Sequence, residues 1–148
     1  MRALVNLPEK VILHCSASPD RGDFIGVRQI DQWHKEKGWS GVGYHFVIRR
    51  TGVIEEGRKI HQEGAHTRGH NDKSIGVCWV GTWLPTDQQI RSILSLYIGL
   101  LKSHGITADH WHGHYEFNPA KTCPGFSMNM FRTLLREYHS RISHGIRC

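Results

Sequence analysis

Apolar and polar positions follow two periods along this chain, and the changes of period mark its elements. Residues 10–17 begin with Val11-Ile12-Leu13 in succession and run into a Ser-Ala-Ser-Pro-Asp loop, the pattern of a strand buried on both faces. In such a strand His14 and Cys15 point to opposite faces, so one site is expected to receive only one of them. From Asp23 or Gly26 to Lys37 the period becomes helical. Val27, Ile30 and Trp33 to His34 share a stripe, and Gly38 supplies the stop. Gly41 to Arg50 reads as a strand, Thr51-Gly52 as a turn, and Val53 to Glu56 as the hairpin partner. Regular alternation there puts Tyr44, Phe46 and Ile48 on one face, with His45 and Val47 on the other.

Residues 57–73, rich in Gly, His and Asn, read as a long loop of the kind that often carries function. Ser74 to Gly81 is nearly continuous in apolar residues and reads as a further, central strand. Pro85-Thr86-Asp87 starts a helix to about Ser103. Its stripe is Ile90, Ile93, Leu94, Tyr97, Leu100 and Leu101, and Gly105 closes it. His110 to His114 reads as a strand end, and a last helix runs from about Met128 to His139. No repeat or linker divides residues 1–148, so a single domain is expected. Strands alternating with helices predict an α/β fold, a mixed central β-sheet flanked by helices on both faces.

Composition narrows the partners without choosing among them. The chain has 148 residues, a net charge of +6 and a pI near 9.4, which suits nucleic acid, a membrane surface or an anionic polymer such as a bacterial wall. The basic residues are scattered, with no run of the kind that marks a nucleic-acid tail. No apolar stretch approaches the roughly 20 residues of a membrane helix. Met1 to Lys10 carries Asn6, Pro8, Glu9 and Lys10 and does not read as a signal peptide. The expected location is therefore the cytoplasm of the producing cell until another factor releases the protein. The cysteines, Cys15, Cys78, Cys123 and Cys148, form no CxxC pair and are expected to stay reduced. Cys15 and Cys78 read as buried strand residues and Cys148 as an incidental terminal one.

Candidate chemistry concentrates in His112 to Phe126. Cys123 offers a thiolate, His114 an imidazole and Lys121 a cation within a short span. Cys and His are zinc ligands, and a catalytic zinc takes three protein ligands with a fourth position open. The third must come from elsewhere, and His14 is the best candidate, although alone it reads as a core histidine. His110, His112 and His114 alternate, and spacing leaves open which of them would be the ligand. Tyr44, flanked by glycines at a strand start, could present its hydroxyl to a cleft. His34, His61, His70, His139 and His144 carry no readable signal.

Several motifs in order then resemble one family. They are Leu13-His14-Cys15-Ser16-Ala17-Ser18, Ile30-Asp31-Gln32-Trp33-His34 with Gly38-Trp39, and Val42-Gly43-Tyr44-His45-Phe46-Val47-Ile48. They continue through Gly64-Ala65-His66, Asn71, Ser74-Ile75-Gly76-Val77-Cys78, Gly113-His114-Tyr115-Glu116 and Lys121-Thr122-Cys123-Pro124-Gly125. The chain resembles the type 2 N-acetylmuramoyl-L-alanine amidases, zinc-dependent enzymes that include small phage endolysins and share a fold with peptidoglycan recognition proteins. The resemblance implies one zinc held by His14, His114 and Cys123, a catalytic pair of Tyr44 and Lys121, and a substrate groove near His66 and Asn71. Glu116 would either orient a ligand or stand as a surface carboxylate.

The implied reaction is cleavage of the amide between N-acetylmuramic acid and L-alanine in bacterial peptidoglycan, by a monomer with no membrane partner. The likeness is greatest to small podophage-type lysozymes of this family, which also inhibit their phage's RNA polymerase, so a polymerase is a second implied partner. Against such a relative this chain is one residue longer between Glu116 and Lys121, a length that the loop is expected to absorb. The competing reading is a non-catalytic peptidoglycan-binding or polymerase-binding regulator. Loss of a zinc ligand would mark the wall-binding form, and none is lost.

Overall fold

Two strands without a polar face carry the architecture. In the computed structural model, which describes residues 5–144, β1 (Lys10–Cys15) and β4 (Ser74–Trp79) lie side by side in parallel, Lys10 opposite Ser74 and Cys15 opposite Trp79. Every residue of β4 is buried, as a strand covered on both faces must be. β2 (Phe46–Ile48) adds to β4 in parallel, β3 (Ile54–Glu56) pairs antiparallel with β2, and β5 (Trp111–Gly113) pairs parallel with β1. The order across this mixed sheet is β3-β2-β4-β1-β5. Among the described residues, no helix is long and apolar enough to cross a membrane.

The two faces are covered unequally. Val11, Leu13, Ile48, Ile75 and Val77 point to one face, where α2 (Asp87–His104) and α3 (Met128–Ser143) bury Ile93, Tyr97, Leu100, Met128, Phe131 and Leu135 with them. Among the described residues the other face receives only α1 (Val27–Glu36), whose Ile30 packs with Val42, Val47, Cys78 and Val80. That smaller cluster leaves the β1 end of the second face to loops and buried polar side chains, and the candidate residues gather there.

Local signals explain most boundaries. Helix α2 begins in a capping box: the Gln89 N–H donates to Thr86 Oγ1 at 3.0 Å and the Thr86 N–H to Gln89 Oε1 at 2.9 Å. It ends at Gly105 in the left-handed region, φ 66°. Helix α3 runs to Ser143, four residues past the expected His139, and Cys148 lies outside the described residues. The expected strand over 41–50 is reduced to Phe46–Ile48. Gly43 passes so close to the Ala65 carbonyl that a Cβ there would lie 2.0 Å from its oxygen, and this contact replaces sheet pairing. Alternation therefore stops short of Tyr44, which packs with Val42 and Val47 rather than on the face of Phe46 and Ile48.

Gln89 ties helix to sheet as well as capping α2. Fully buried, it donates from Nε2 to the carbonyls of Ile48 at 3.1 Å and Val80 at 2.9 Å. A Gln89→Leu variant removes one of the two hydrogen bonds that each carbonyl accepts and leaves the Thr86 N–H without its acceptor, and should lose roughly 2–4 kcal/mol of stability. Urea unfolding reads this as a lower midpoint at unchanged slope, and a midpoint equal to wild type would remove Gln89 from the fold's supports.

Candidate active site

The end of β1 puts His14 on the thinly covered face, 2% exposed and one residue before the strand stops. Three rings surround it: His114 at 4.5 Å between centroids, His66 at 4.9 Å and Tyr44 at 5.1 Å. Burial, followed by the neighbouring His66, His114 and Lys121, holds the His14 imidazole well below its usual range, so it is neutral at pH 7. Both of its side-chain hydrogen bonds use Nε2, to His66 Nδ1 at 2.9 Å and Thr67 Oγ1 at 3.3 Å. Nδ1 is the nitrogen left for another partner.

His114 and Cys123 reach His14 through one pinned loop. β5 stops at Gly113, and His114 to Glu116 form a 3-10 turn, so the alternation of the three histidines does not persist. The turn sends His114 to His14, while His112 packs against Phe117 and Glu116, and His110 is exposed. The Tyr115 N–H donates to the Cys123 carbonyl at 3.0 Å and draws the far end of the loop back beside His114. Glu116 accepts from the Gly113 N–H at 3.0 Å and from Arg132 of α3 at 2.8 and 3.1 Å. Partial burial alone would raise its carboxyl, but Arg132 and Gly113 hold it below the usual range. It orients the backbone ahead of His114 and is more than a surface carboxylate.

Cys15 departs from expectation. It is half-buried rather than core, and its Sγ lies 3.4 Å from Cys123 Sγ. The site sits over the end of β1, so both His14 and Cys15 reach it despite pointing to opposite faces. The hydrogen bond from Cys15, then the nearness of His114, push the Cys123 thiol down to about 4 against the opposing effect of burial. The same contact pushes the Cys15 thiol up, so Cys123 carries the thiolate and Cys15 the proton. Cys78 is fully buried, as expected.

Lys121 and His114 line an open cleft of about 420 Å³ together with His66, Arg68, Asn71 and Asn118. No aspartate or glutamate lines it, and among the described residues neither Arg68 nor Lys121 forms an ion pair. Asn71 Oδ1 accepts the N–H groups of His66 and Thr67, both at 2.9 Å, and Asn118 Oδ1 accepts that of Ala120 at 3.0 Å. Their amide nitrogens remain as donors. The cleft thus offers donors and positive charge to a ligand rich in carbonyls and carboxylates. Asn71 also orders the loop it belongs to. Tyr44 lines a smaller adjoining pocket of about 110 Å³ with Ser16, Trp33, His34 and Lys37. Burial first, then the nearby cysteines, push its phenol well above the usual range, so it stays protonated.

His14, His114 and Cys123 are the residues that could hold a metal. Two imidazoles, one of them buried and neutral, and a thiolate make a donor set suited to zinc. The side chains do not close around one point as they stand: among the described residues no three His, Cys, Asp or Glu groups form a ready cage. The donor types and their adjacency fit the metal.

Sequence patterning missed His34, His45, Thr67 and Ser74. His34 Nδ1 accepts the Gly43 N–H at 2.9 Å and fixes the segment that carries Tyr44. His45 Nδ1 accepts the Gly76 N–H at 3.0 Å. His34 falls four residues after Ile30 on the apolar stripe of α1, which was the available signal. The imidazoles of His14, His45 and His66 are all lowered, chiefly by burial, and burial brings His34 to about 4.

Because these pKa values lie below the unfolded value of 6.5, the unfolded chain takes up protons first as pH falls. Their contribution is full above about pH 6.5 and is lost as pH drops towards 4. With chelator present, the urea midpoint should decline from pH 7 to 5. His34→Asn keeps an acceptor at the δ position without titrating and should flatten the decline. A midpoint independent of pH over that range would contradict the assignment of neutral buried histidines.

A family model for N-acetylmuramoyl-L-alanine amidases matches residues 5–126, a span that includes every candidate from His14 to Cys123. The endolysin of Escherichia phage T7 is 41% identical over 129 residues, covering 81% of this chain and 82% of its own. Among solved structures, the N-acetylmuramoyl-L-alanine amidase LysC from Clostridium intestinale URNW superposes with a TM-score of 0.78 at 27% identity, covering 92% of this chain and 93% of that one. The bumblebee protein PGRP-SA, at 24% identity and a TM-score of 0.73 over 84% of this chain and 80% of its own, shares the fold.

Proposed function

The chain belongs to the N-acetylmuramoyl-L-alanine amidase family and is an amidase of the endolysin kind acting on peptidoglycan; from that premise we propose a zinc-dependent hydrolysis of the muramoyl–L-alanine amide at the cleft beside His14. The observation that carries the proposal is the meeting of His14, His114 and the Cys123 thiolate beside a cleft whose charged lining residues are cations.

Those three residues would hold the metal. When bound, zinc supplies Lewis-acid polarisation of the scissile carbonyl and brings the pKa of a coordinated water towards ~7. The remaining work belongs to the chain. Lys121, exposed on the cleft, places an ammonium where negative charge develops on the carbonyl oxygen. Tyr44 is a protonated phenol at neutral pH and acts by orientation, donating a hydrogen bond towards the reacting oxygen. Asn71 and His66 serve as the substrate-side residues in this reading: both line the cleft, the Asn71 amide nitrogen is free to donate there, and His66 also supports His14. Donors without a carboxylate on the lining favour the carbonyl-rich, acidic stem peptide over a cationic ligand.

We further propose that the enzyme acts as a monomer and reaches the wall from the cytoplasm after release. Inhibition of an RNA polymerase, the second role that the resemblance implies, is proposed as a separable surface activity. It would survive Tyr44→Phe in a transcription assay.

Digestion of purified peptidoglycan tests the enzymatic reading. Wild type should release new L-alanine amino termini, and chelator or Cys123→Ser should abolish them. Tyr44→Phe should keep its zinc and lose most turnover, and Lys121→Ala should lose roughly 10² in kcat. Wild type loaded with zinc that binds the wall yet frees no L-alanine termini would overturn the reading.

A further inference from the structure

Behind His14 runs a chain of polar groups that ends at Ser74, a residue with no role in the reaction as described. His14 Nε2 lies 2.9 Å from His66 Nδ1, His66 Nε2 lies 3.2 Å from Ser74 Oγ, and Ser74 Oγ lies 2.7 Å from the His70 carbonyl oxygen. His14, His66 and Ser74 are all buried, at 2%, 9% and 0% exposure. Each link needs one donor and one acceptor, so fixing a single hydrogen fixes the rest.

A carbonyl oxygen can only accept, so the short contact to His70 requires the Ser74 hydroxyl to donate there. Ser74 Oγ then receives the longer contact as an acceptor, which puts a hydrogen on His66 Nε2. Both rings are buried, and the hydrogen-bond partners of their nitrogens are each other and the Thr67 and Ser74 hydroxyls, so neither has the anionic partner that a buried imidazolium needs and both are neutral. A neutral His66 with its hydrogen on Nε2 has a bare Nδ1, and although the Thr67 hydroxyl, 3.0 Å away, can also donate to it, two bare nitrogens would repel at 2.9 Å, so His14 Nε2 carries a hydrogen and donates. Thr67 Oγ1, 3.3 Å from the same His14 nitrogen, accepts the weaker arm of that N–H. A neutral His14 with its hydrogen on Nε2 presents a bare lone pair at Nδ1.

We infer that Ser74 is a positioning residue that sets the tautomer of His14 through His66, keeping Nδ1 unprotonated as the metal-donating atom. The inference rests on the proposed zinc site for its purpose, but the tautomer itself is a property of the protein alone. Without the Ser74 hydroxyl the two imidazoles can exchange both hydrogens together, and the form with a protonated Nδ1 on His14 could not bind a metal until the pair reversed.

Nitrogen-15 NMR of the histidine rings, with chelator present, reads each tautomer directly. Wild type should show His14 and His66 both protonated at Nε2, and His14 found protonated at Nδ1 would overturn the inference. Ser74→Ala should show mixed tautomers at both rings and weaken zinc binding about tenfold or more in a competition titration against a chelating dye. Ser74→Thr, which restores the hydroxyl, should recover both readouts. If Ser74→Ala keeps the wild-type tautomers and zinc affinity, Ser74 does not set them. Wild type that shows the stated tautomers but binds no zinc would sink the zinc site and leave the assignment of hydrogens standing.

Discussion

The contact between His14 Nε2 and His66 Nδ1, 2.9 Å long and buried, constrains much of what surrounds it. Two rings can meet there only if the backbone gives them room. Gly76, opposite Ile12 in the parallel pairing of β1 and β4, would carry a Cβ 2.5 Å from the His66 ring, and Gly64 one 2.6 Å from it. Any side chain at either position would expel His66 and with it the support of His14. The glycines are therefore part of the site without touching a substrate. The loop that delivers His66 is held in turn by Asn71, whose single oxygen takes two backbone N–H groups.

This polar cluster can exist because the sheet is covered unequally. The face under α2 and α3 holds the large apolar cluster, which supplies most of the hydrophobic stabilisation. The face under α1 is only partly filled by its five-residue cluster, and His14, His34, His45, His66 and Ser74 are buried around it. Such groups cost free energy unless hydrogen-bonded. Here each imidazole has a partner, and none of those partners is a carboxylate. The network is satisfied only while its rings are neutral, which makes one feature responsible both for acid sensitivity and for nitrogen lone pairs at the site.

The sequence showed the sheet, the helices and the chemical candidates, and it missed what depends on the ends of strands. β1, β4, α2 and the hairpin are readable because continuous apolar runs, a helical stripe and turn residues such as Thr51-Gly52 are local signals. Strand alternation extended through Gly43 puts Tyr44 on the wrong face, because contact with Ala65 replaces pairing there. Cys15 was set apart from His14 by the same rule, which holds within a strand and fails at its tip, where both faces open onto one space. Of the three alternating histidines, only the 3-10 turn after Gly113 distinguishes His114. Ser74 gives no sign and His34 only its place on the stripe of α1, since their roles follow from what they accept or donate outside their own elements.

Helix α3 shows how far the site's supports extend. The family match ends at residue 126, before this helix begins at Met128. Yet Arg132 donates to the Trp111 carbonyl at 2.8 Å and grips both oxygens of Glu116, which itself holds the Gly113 N–H. Those bonds fix the strand that leads into His114 and the last residue of its turn. The Tyr115 hydroxyl accepts the Met128 N–H at 2.9 Å, tying the start of the helix to the same turn. Cys123 hangs from that turn through the Tyr115 N–H, so the positions of two candidate ligands pass through one helix. His14 is fixed differently, by a central strand and a buried ring pair. The three donors therefore belong to two differently supported units, which the parallel pairing of β5 with β1 sets in register and α3 braces from beneath β5.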